Sequence, residues 1–143
     1  MMTKFLWNSL VVTCCIACVG CSSDEPFDYI PVEGKITYED GSLIPAQQIR
    51  LTFYSDAEAI DAKTHPLPGG TNVNVEDGTF KQVTSHKFGD GLIPGKHKVV
   101  VEALDENERP LPVVPREYLS QATTPLEADT ANLPLELKVA KPK

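Results

Sequence analysis

Gly89-Asp90-Gly91-Leu92-Ile93-Pro94-Gly95-Lys96-His97-Lys98-Val99-Val100-Val101-Glu102-Ala103-Leu104 is the stretch that decides the fold of this chain. Pro94 and the glycines at 89, 91 and 95 exclude a helix and set a turn. The β-branched run Val99-Val100-Val101 then favours a pleated, buried surface. At a period of two, His97, Val99, Val101 and Ala103 share one face, while Lys98, Val100, Glu102 and Leu104 share the other. The face with two charges looks toward water. Val100 and Leu104 on that wetter face predict a central strand partly covered by a neighbouring loop.

The residues around this strand read as shorter strands that pair with it or pack on it. Val32-Glu33-Gly34-Lys35-Ile36-Thr37-Tyr38 alternates, with Val32, Gly34, Ile36 and Tyr38 inward and Glu33, Lys35 and Thr37 outward. Asp40-Gly41 turns the chain, and residues 48–54 form a second strand facing inward through Ile49, Leu51 and Phe53. Residues 55–70 lack periodicity and read as a long surface loop, either functional or simply mobile. Val73 and Val75 make a short strand, Asp77-Gly78 a turn, and residues 79–84 return with Phe80 as the buried anchor. Residues 105–110 are a charged connection, and Pro115 can open one helical turn through Arg116, Glu117 and Tyr118. Residues 125–129 and 133–139 are the last strands. In the second of these Leu133, Leu135, Leu137 and Val139 point inward, and an exposed Pro134 implies an edge or a strand start. About seven short strands with turn signals between them predict an all-β, Greek-key β-sandwich over residues 32–140.

Composition supports one such domain with appendages. The chain has 143 residues, 41% of them hydrophobic, with twelve prolines, nine glycines and a formal charge of -7. The acidic balance argues against nucleic acid as a partner, because phosphate recognition needs a Lys/Arg patch. All four cysteines, Cys14, Cys15, Cys18 and Cys21, lie in or at the end of an uncharged run of about fifteen residues that follows Lys4. That run has the form of a secretory signal peptide, residues 1–20, and is short for a membrane span. The folded domain therefore carries no disulfide, and the cysteine spacing sits in a leader rather than in a zinc site.

The end of the leader, Val19-Gly20-Cys21 followed by Ser22-Ser23-Asp24-Glu25, resembles the lipobox of bacterial lipoproteins. The resemblance implies a lipid (diacylglycerol and palmitate type) on Cys21, with Gly20 as the small residue before the cut. Ile16-Ala17-Cys18 is a competing site, in which Cys18 would be modified, and cleavage as an ordinary secreted protein is the other alternative. Two or more acyl chains, at ~0.8 kcal/mol per buried methylene, hold a protein durably on a bilayer. Residues 21–31 then act as a flexible tether, reaching at most ~35 Å. In enterobacterial-type lipoproteins a residue such as Ser22 after the cysteine, rather than aspartate, is compatible with export to the outer membrane. The expected location is the cell envelope, with the domain in the periplasm or at the cell surface.

A second resemblance covers nearly all of residues 32–139. Val32-x-Gly34-x-Ile36, Asp40-Gly41-x-Leu43-x-Pro45-Ala46, Ile49-x-Leu51-x-Phe53, Asp77-Gly78-x-Phe80 and Ile93-Pro94-Gly95-Lys96-x-Lys98-Val99-x-Val101 look like the carboxypeptidase regulatory-like, transthyretin-like domain of small bacterial lipoproteins. Val114-Pro115-Arg116-Glu117-Tyr118 and Thr123-Thr124-Pro125-Leu126 are similar to the tail of that family. Its members usually have tyrosine where His97 stands, which implies an aromatic body at the core rim. The resemblance implies a fold and no established activity.

The residues themselves offer no nucleophile, base and orienting group that must meet. Ser85 beside His86 is a sequence neighbour only. Asp56, Glu58 and Asp61 do not match a calcium loop and read as solvated. A metal site from His65, His86 and Asp90 is geometrically open but nothing demands it, and no cofactor is called for. The reading is a non-catalytic envelope interaction or structural module held to the membrane by its lipid, with an envelope protein or a glycan as partner. The alternative is a small-molecule or glycan carrier using the 55–70 and 85–92 loops.

Overall fold

A computed structural model describes residues 25–143 of the chain. The expected leader, residues 1–20, and Cys21 lie outside the described residues. The domain is all-β apart from one 3-10 turn: β1 Gly34–Tyr38, β2 Gln48–Ser55, β3 Gly69–Val73, β4 Thr79–Phe80, β5 Lys96–Leu104, β6 Glu127–Asp129 and β7 Leu135–Val139, with the turn at Arg116–Leu119. Among the described residues no helix is long and apolar enough to cross a membrane.

The decisive strand lies where its composition demands. β5 pairs antiparallel with β2 along eight registered positions, from Gln48↔Leu104 to Ser55↔His97. Val99, Val101 and Ala103 on its inner face are buried, and Val100 and Leu104 on the other face are buried as well. After β5 the chain turns back, so that Pro110 bridges Leu104 and the Leu111 amide donates to the Ala103 carbonyl at 2.8 Å. The 3-10 turn, opened by Pro115 as expected, also packs near β5 and buries Tyr118.

All seven strands join in one hydrogen-bonded sheet in the order β6-β5-β2-β3-β4-β1-β7. β2, β3 and β4 are successive antiparallel neighbours, and β1 returns to lie beside β4, which is a Greek key. Only the register pair Val73↔Phe80 joins β3 to β4. The sheet folds over at this narrow join, and its two parts, β6-β5-β2-β3 and β4-β1-β7, form the layers of a sandwich that is nearly barrel-shaped. Phe53 from one part meets Phe80 from the other with ring centroids 6.0 Å apart. The edges β6 and β7 approach each other on the far side, leaving a depression of about 640 Å3 lined by Glu127, Asp129, Leu133 and Leu137. β7 pairs parallel with β1 from Gly34↔Leu135 to Tyr38↔Val139. Gly34 fits there because its backbone meets the Leu135 carbonyl and the Phe80 ring so closely that any Cβ would collide.

Four details depart from the sequence expectation, each for a local reason. β3 occupies Gly69–Val73 rather than Val73 and Val75, although its glycines have low strand propensity. Leu92, Ser85 and Val83 crowd Gly69 so tightly that only glycine allows the strand to pass. β4 stops at Phe80 instead of running to residue 84, because Gln82 adopts a left-handed φ of 54°. Beyond that break Thr84 rejoins the sheet through a two-way backbone bridge to Gly70. Thr37 is buried rather than outward, and its hydroxyl accepts a 2.9 Å hydrogen bond from Lys138 Nζ. Leu133 is exposed, and β7 begins only at Leu135 after the cis Leu133-Pro134 peptide.

The core rests on the contact between Phe53 and Phe80, both nearly fully buried. Phe80→Ala is expected to destabilise the domain by about 3–5 kcal/mol through lost burial and the cavity left behind. Leu43→Ala at an exposed turn should cost less than about 1 kcal/mol. Denaturant unfolding of both variants checks this, and a loss at Phe80 as small as that at Leu43 would contradict the packing described.

Candidate functional site

The sheet register sorts the loops into two ends. β1 and β7 start, β2 finishes and β5 starts at the same end, so residues 25–33, 56–68, 81–95 and 130–134 gather there. Residues 39–47, 74–78, 105–112 and those after Val139 gather at the other.

At the first end the 85–91 loop is held by a single carboxylate. Asp90 accepts amide hydrogen bonds from Ser85 at 2.8 Å, His86 at 2.9 Å and Lys87 at 2.7 Å. Partial burial works against its charge, but the amides of Lys87, Ser85, His86 and Gly91 outweigh that and hold its carboxyl below the usual range. The Ser85 hydroxyl donates to the Gly91 carbonyl at 2.7 Å. The loop forms a hydrogen-bonded shelf, and Phe88 stands out from it into solvent.

Residues 25–31 lie on that shelf. Ile30 and Leu92 exchange both backbone hydrogen bonds, at 2.9 and 3.0 Å. The Tyr29 ring stacks on His86 with centroids 6.3 Å apart and planes 5° from parallel. Lys87 Nζ reaches Glu25 Oε1 at 2.7 Å. Gly91, with φ of 100°, permits this approach, since a Cβ there would run into the Ile30 carbonyl. Burial, reinforced by the negative charges of Asp90 and Glu25, raises the Tyr29 phenol pKa above its ordinary value. The expected tether therefore meets the body from Glu25 onward. A signal for this was present in the sequence as Phe27, Tyr29 and Ile30, three large apolar or aromatic residues within residues 27–30.

The three histidines occupy separate settings. His65 Nε2 lies 3.1 Å from the Ala62 carbonyl in the 56–68 loop, where Asp61 caps its own turn through the amides of Lys63 and Thr64. His86 stacks on Tyr29. His97 is buried inside the sandwich, edge-on to Phe53 with centroids 6.5 Å apart. Asp90, grouped with His65 and His86 as a possible ligand by sequence, spends its oxygens on backbone amides. Among the described residues no group of three His, Cys, Asp or Glu side chains could hold a metal ion.

The opposite end carries an apolar groove of about 630 Å3 between Pro110, Leu111, Pro115, Leu119 and Pro142, within the size range of ligand and peptide sites. Arg116, Glu117, Lys141 and Lys143 also line it. Lys141 also pairs with Asp40, and this contact, together with those from Ser42, lowers the Asp40 carboxyl well below the usual range.

No protein-family model, curated protein or solved structure matches the chain. The likeness to carboxypeptidase regulatory-like domains rests on sequence motifs alone.

Burial lowers the His97 pKa, opposed by the Gly95 carbonyl that its Nδ1 contacts at 3.2 Å and by Asp56 and Asp129. The folded state thus binds the proton less readily than the unfolded chain. Stability is full above about pH 6.5 and falls as pH drops below that value. Most carboxylate losses begin at lower pH. Unfolding midpoints measured from about pH 7.5 to about pH 5 should fall for the native chain and stay flatter for His97→Phe; equal slopes would contradict the assignment.

Proposed function

We propose that this chain is a lipid-anchored envelope protein whose β-sandwich is a non-catalytic interaction or structural module. The anchor is a lipid on Cys21, in keeping with the lipobox-like Val19-Gly20-Cys21, and Ser22 after it is compatible with the outer membrane as destination. The observation that carries the reading is the docking of residues 25–31 on the 85–92 segment, which keeps the body a few residues from the anchor. The polar groups that could have served catalysis are engaged in structure: Asp90 on amides, the Ser85 hydroxyl on Gly91, His97 in the core. The groove beside Leu119 lies at the end away from the tether and is the surface offered to an envelope protein.

A glycan or small-molecule carrier is the second reading. A shallow depression of about 300 Å3 beside Phe88, lined by Thr71, Asn72, Lys81, Gln82 and Thr84, sets an aromatic ring next to amides and hydroxyls, a combination that suits sugars.

Two variants test the anchor. Cys21→Ser should lose the acyl mass in intact-mass spectrometry and leave the membrane fraction, while Cys18→Ser keeps both; the reverse pattern would move the anchor to Cys18, and loss by neither would overturn it. A photo-crosslinker placed at Leu119 in the native envelope should give a discrete protein adduct. Failure to form one, together with glycan binding abolished by Phe88→Ala, would favour the carrier.

A further inference from the structure

The register that orders the sheet also sorts the exposed apolar side chains. Phe88 is 83% exposed and Ile60 59%, and Leu67 and Leu133 are exposed as well. All four lie in the loops of the end on which residues 25–31 are docked. Of the other exposed large apolar residues among those described, Leu43 is at the opposite end and Leu119 belongs to the 3-10 turn. Single exposed apolar side chains are ordinary on any surface; here four of the six exposed large apolar residues among those described belong to the loops of this one end.

The attached segment says what that face meets. Glu25 is held by Lys87 and Ile30 by Leu92, so the chain leaves the body from the Phe88 loop. Four positions separate Glu25 from Cys21, at most ~14 Å of extended chain. The opposite end lies a strand length further away, about 26 Å along the eight residues of β2. While the docking holds, an acyl chain on Cys21 cannot bring that opposite end to the bilayer.

We infer that the end carrying Phe88, Ile60, Leu67 and Leu133 rests on the lipid surface, with the Phe88 ring seated at the boundary between headgroups and acyl chains. Aromatic and large aliphatic side chains favour that boundary. The surface it meets is zwitterionic. Asp28, Glu33, Asp56, Glu58 and Asp61 are exposed in the loops of this end against Lys63, Lys81 and Lys87, an acidic excess that an anionic leaflet would repel. The far-end groove then points away from the bilayer, toward other envelope components.

This inference rests on the lipid-anchored reading, and one experiment separates the two. The mature, lipid-bearing chain is reconstituted on phosphatidylcholine vesicles as Phe88→Trp or as Leu43→Trp. The chain's single tryptophan, Trp7, lies in the leader, so each variant reports from one place. Flotation measures attachment, and quenching of indole fluorescence by brominated acyl chains measures depth in the same sample. The expected result is flotation of both variants, with Phe88→Trp quenched several-fold more strongly than Leu43→Trp. Flotation with equal or inverted quenching overturns the orientation and leaves the anchor standing. Absence of flotation overturns the anchor, and the orientation with it. Shielding of the Phe88→Trp indole in native envelope membranes but not in pure lipid overturns the lipid contact in favour of a protein partner.

Discussion

The β2–β5 ladder is the constraint on which the rest of the domain depends. Eight registered pairs bring Ile49, Leu51 and Phe53 into line with Ala103, Val101 and Val99, which forms one wall of the core. A one-residue slip would turn every one of these side chains to the other face, so the alternation itself fixes the register. Once this wall exists, Phe53 offers the surface against which Phe80 closes, and the narrow Val73↔Phe80 join lets the sheet fold over to reach it. β1 and β7, drawn from opposite ends of the domain sequence, complete the second layer.

The same ladder determines what each end of the molecule can do. Because β2 finishes where β5 and β1 begin, the 56–68 and 85–91 loops lie at one end, and the second of them, with Leu92, receives the N-terminal segment. The carboxylate of Asp90 ties that loop together through three amides, and Gly91 leaves room for the Ile30 backbone. Asp90 and Ser85 instead brace the loop that receives residues 25–31. On the proposed reading, function follows from where the body is held and which end is presented, a property of topology more than of any one side chain.

Much of the fold was legible in residues whose periodicity is local. β1, β2 and β5 follow from alternating apolar residues, and the Asp40-Gly41 and Asp77-Gly78 turns from glycines that take positive φ. β3 was not legible, since Gly69-Gly70-Thr71-Asn72 has no apolar pattern and is a strand through its antiparallel ladder with β2, from Phe53↔Gly69 to Ile49↔Val73, which local sequence does not reveal. The end of β4 depended on the φ of Gln82, and the parallel β1–β7 pair on a long-range match that periodicity cannot encode. At the candidate site the loops 55–70 and 85–92 were visible as irregular segments. Their division of labour was hidden, because Asp90 could equally have been a ligand until its three amide partners were in place. The docking of Tyr29 and Ile30 was hidden for the same reason: a few apolar residues in a short segment acquire meaning only from the surface they meet.

Residues 25–31 belong to the folded body, packed on the 85–92 segment. Amide hydrogen exchange on the mature chain tests it directly, because Ile30 and Leu92 each donate to the other's carbonyl. The account predicts slow exchange at both amides, with Gly91→Ala releasing Ile30 while Val99 and Val101 in β5 remain protected. Exchange of the Ile30 amide at the rate of an unstructured peptide in the native chain would contradict it.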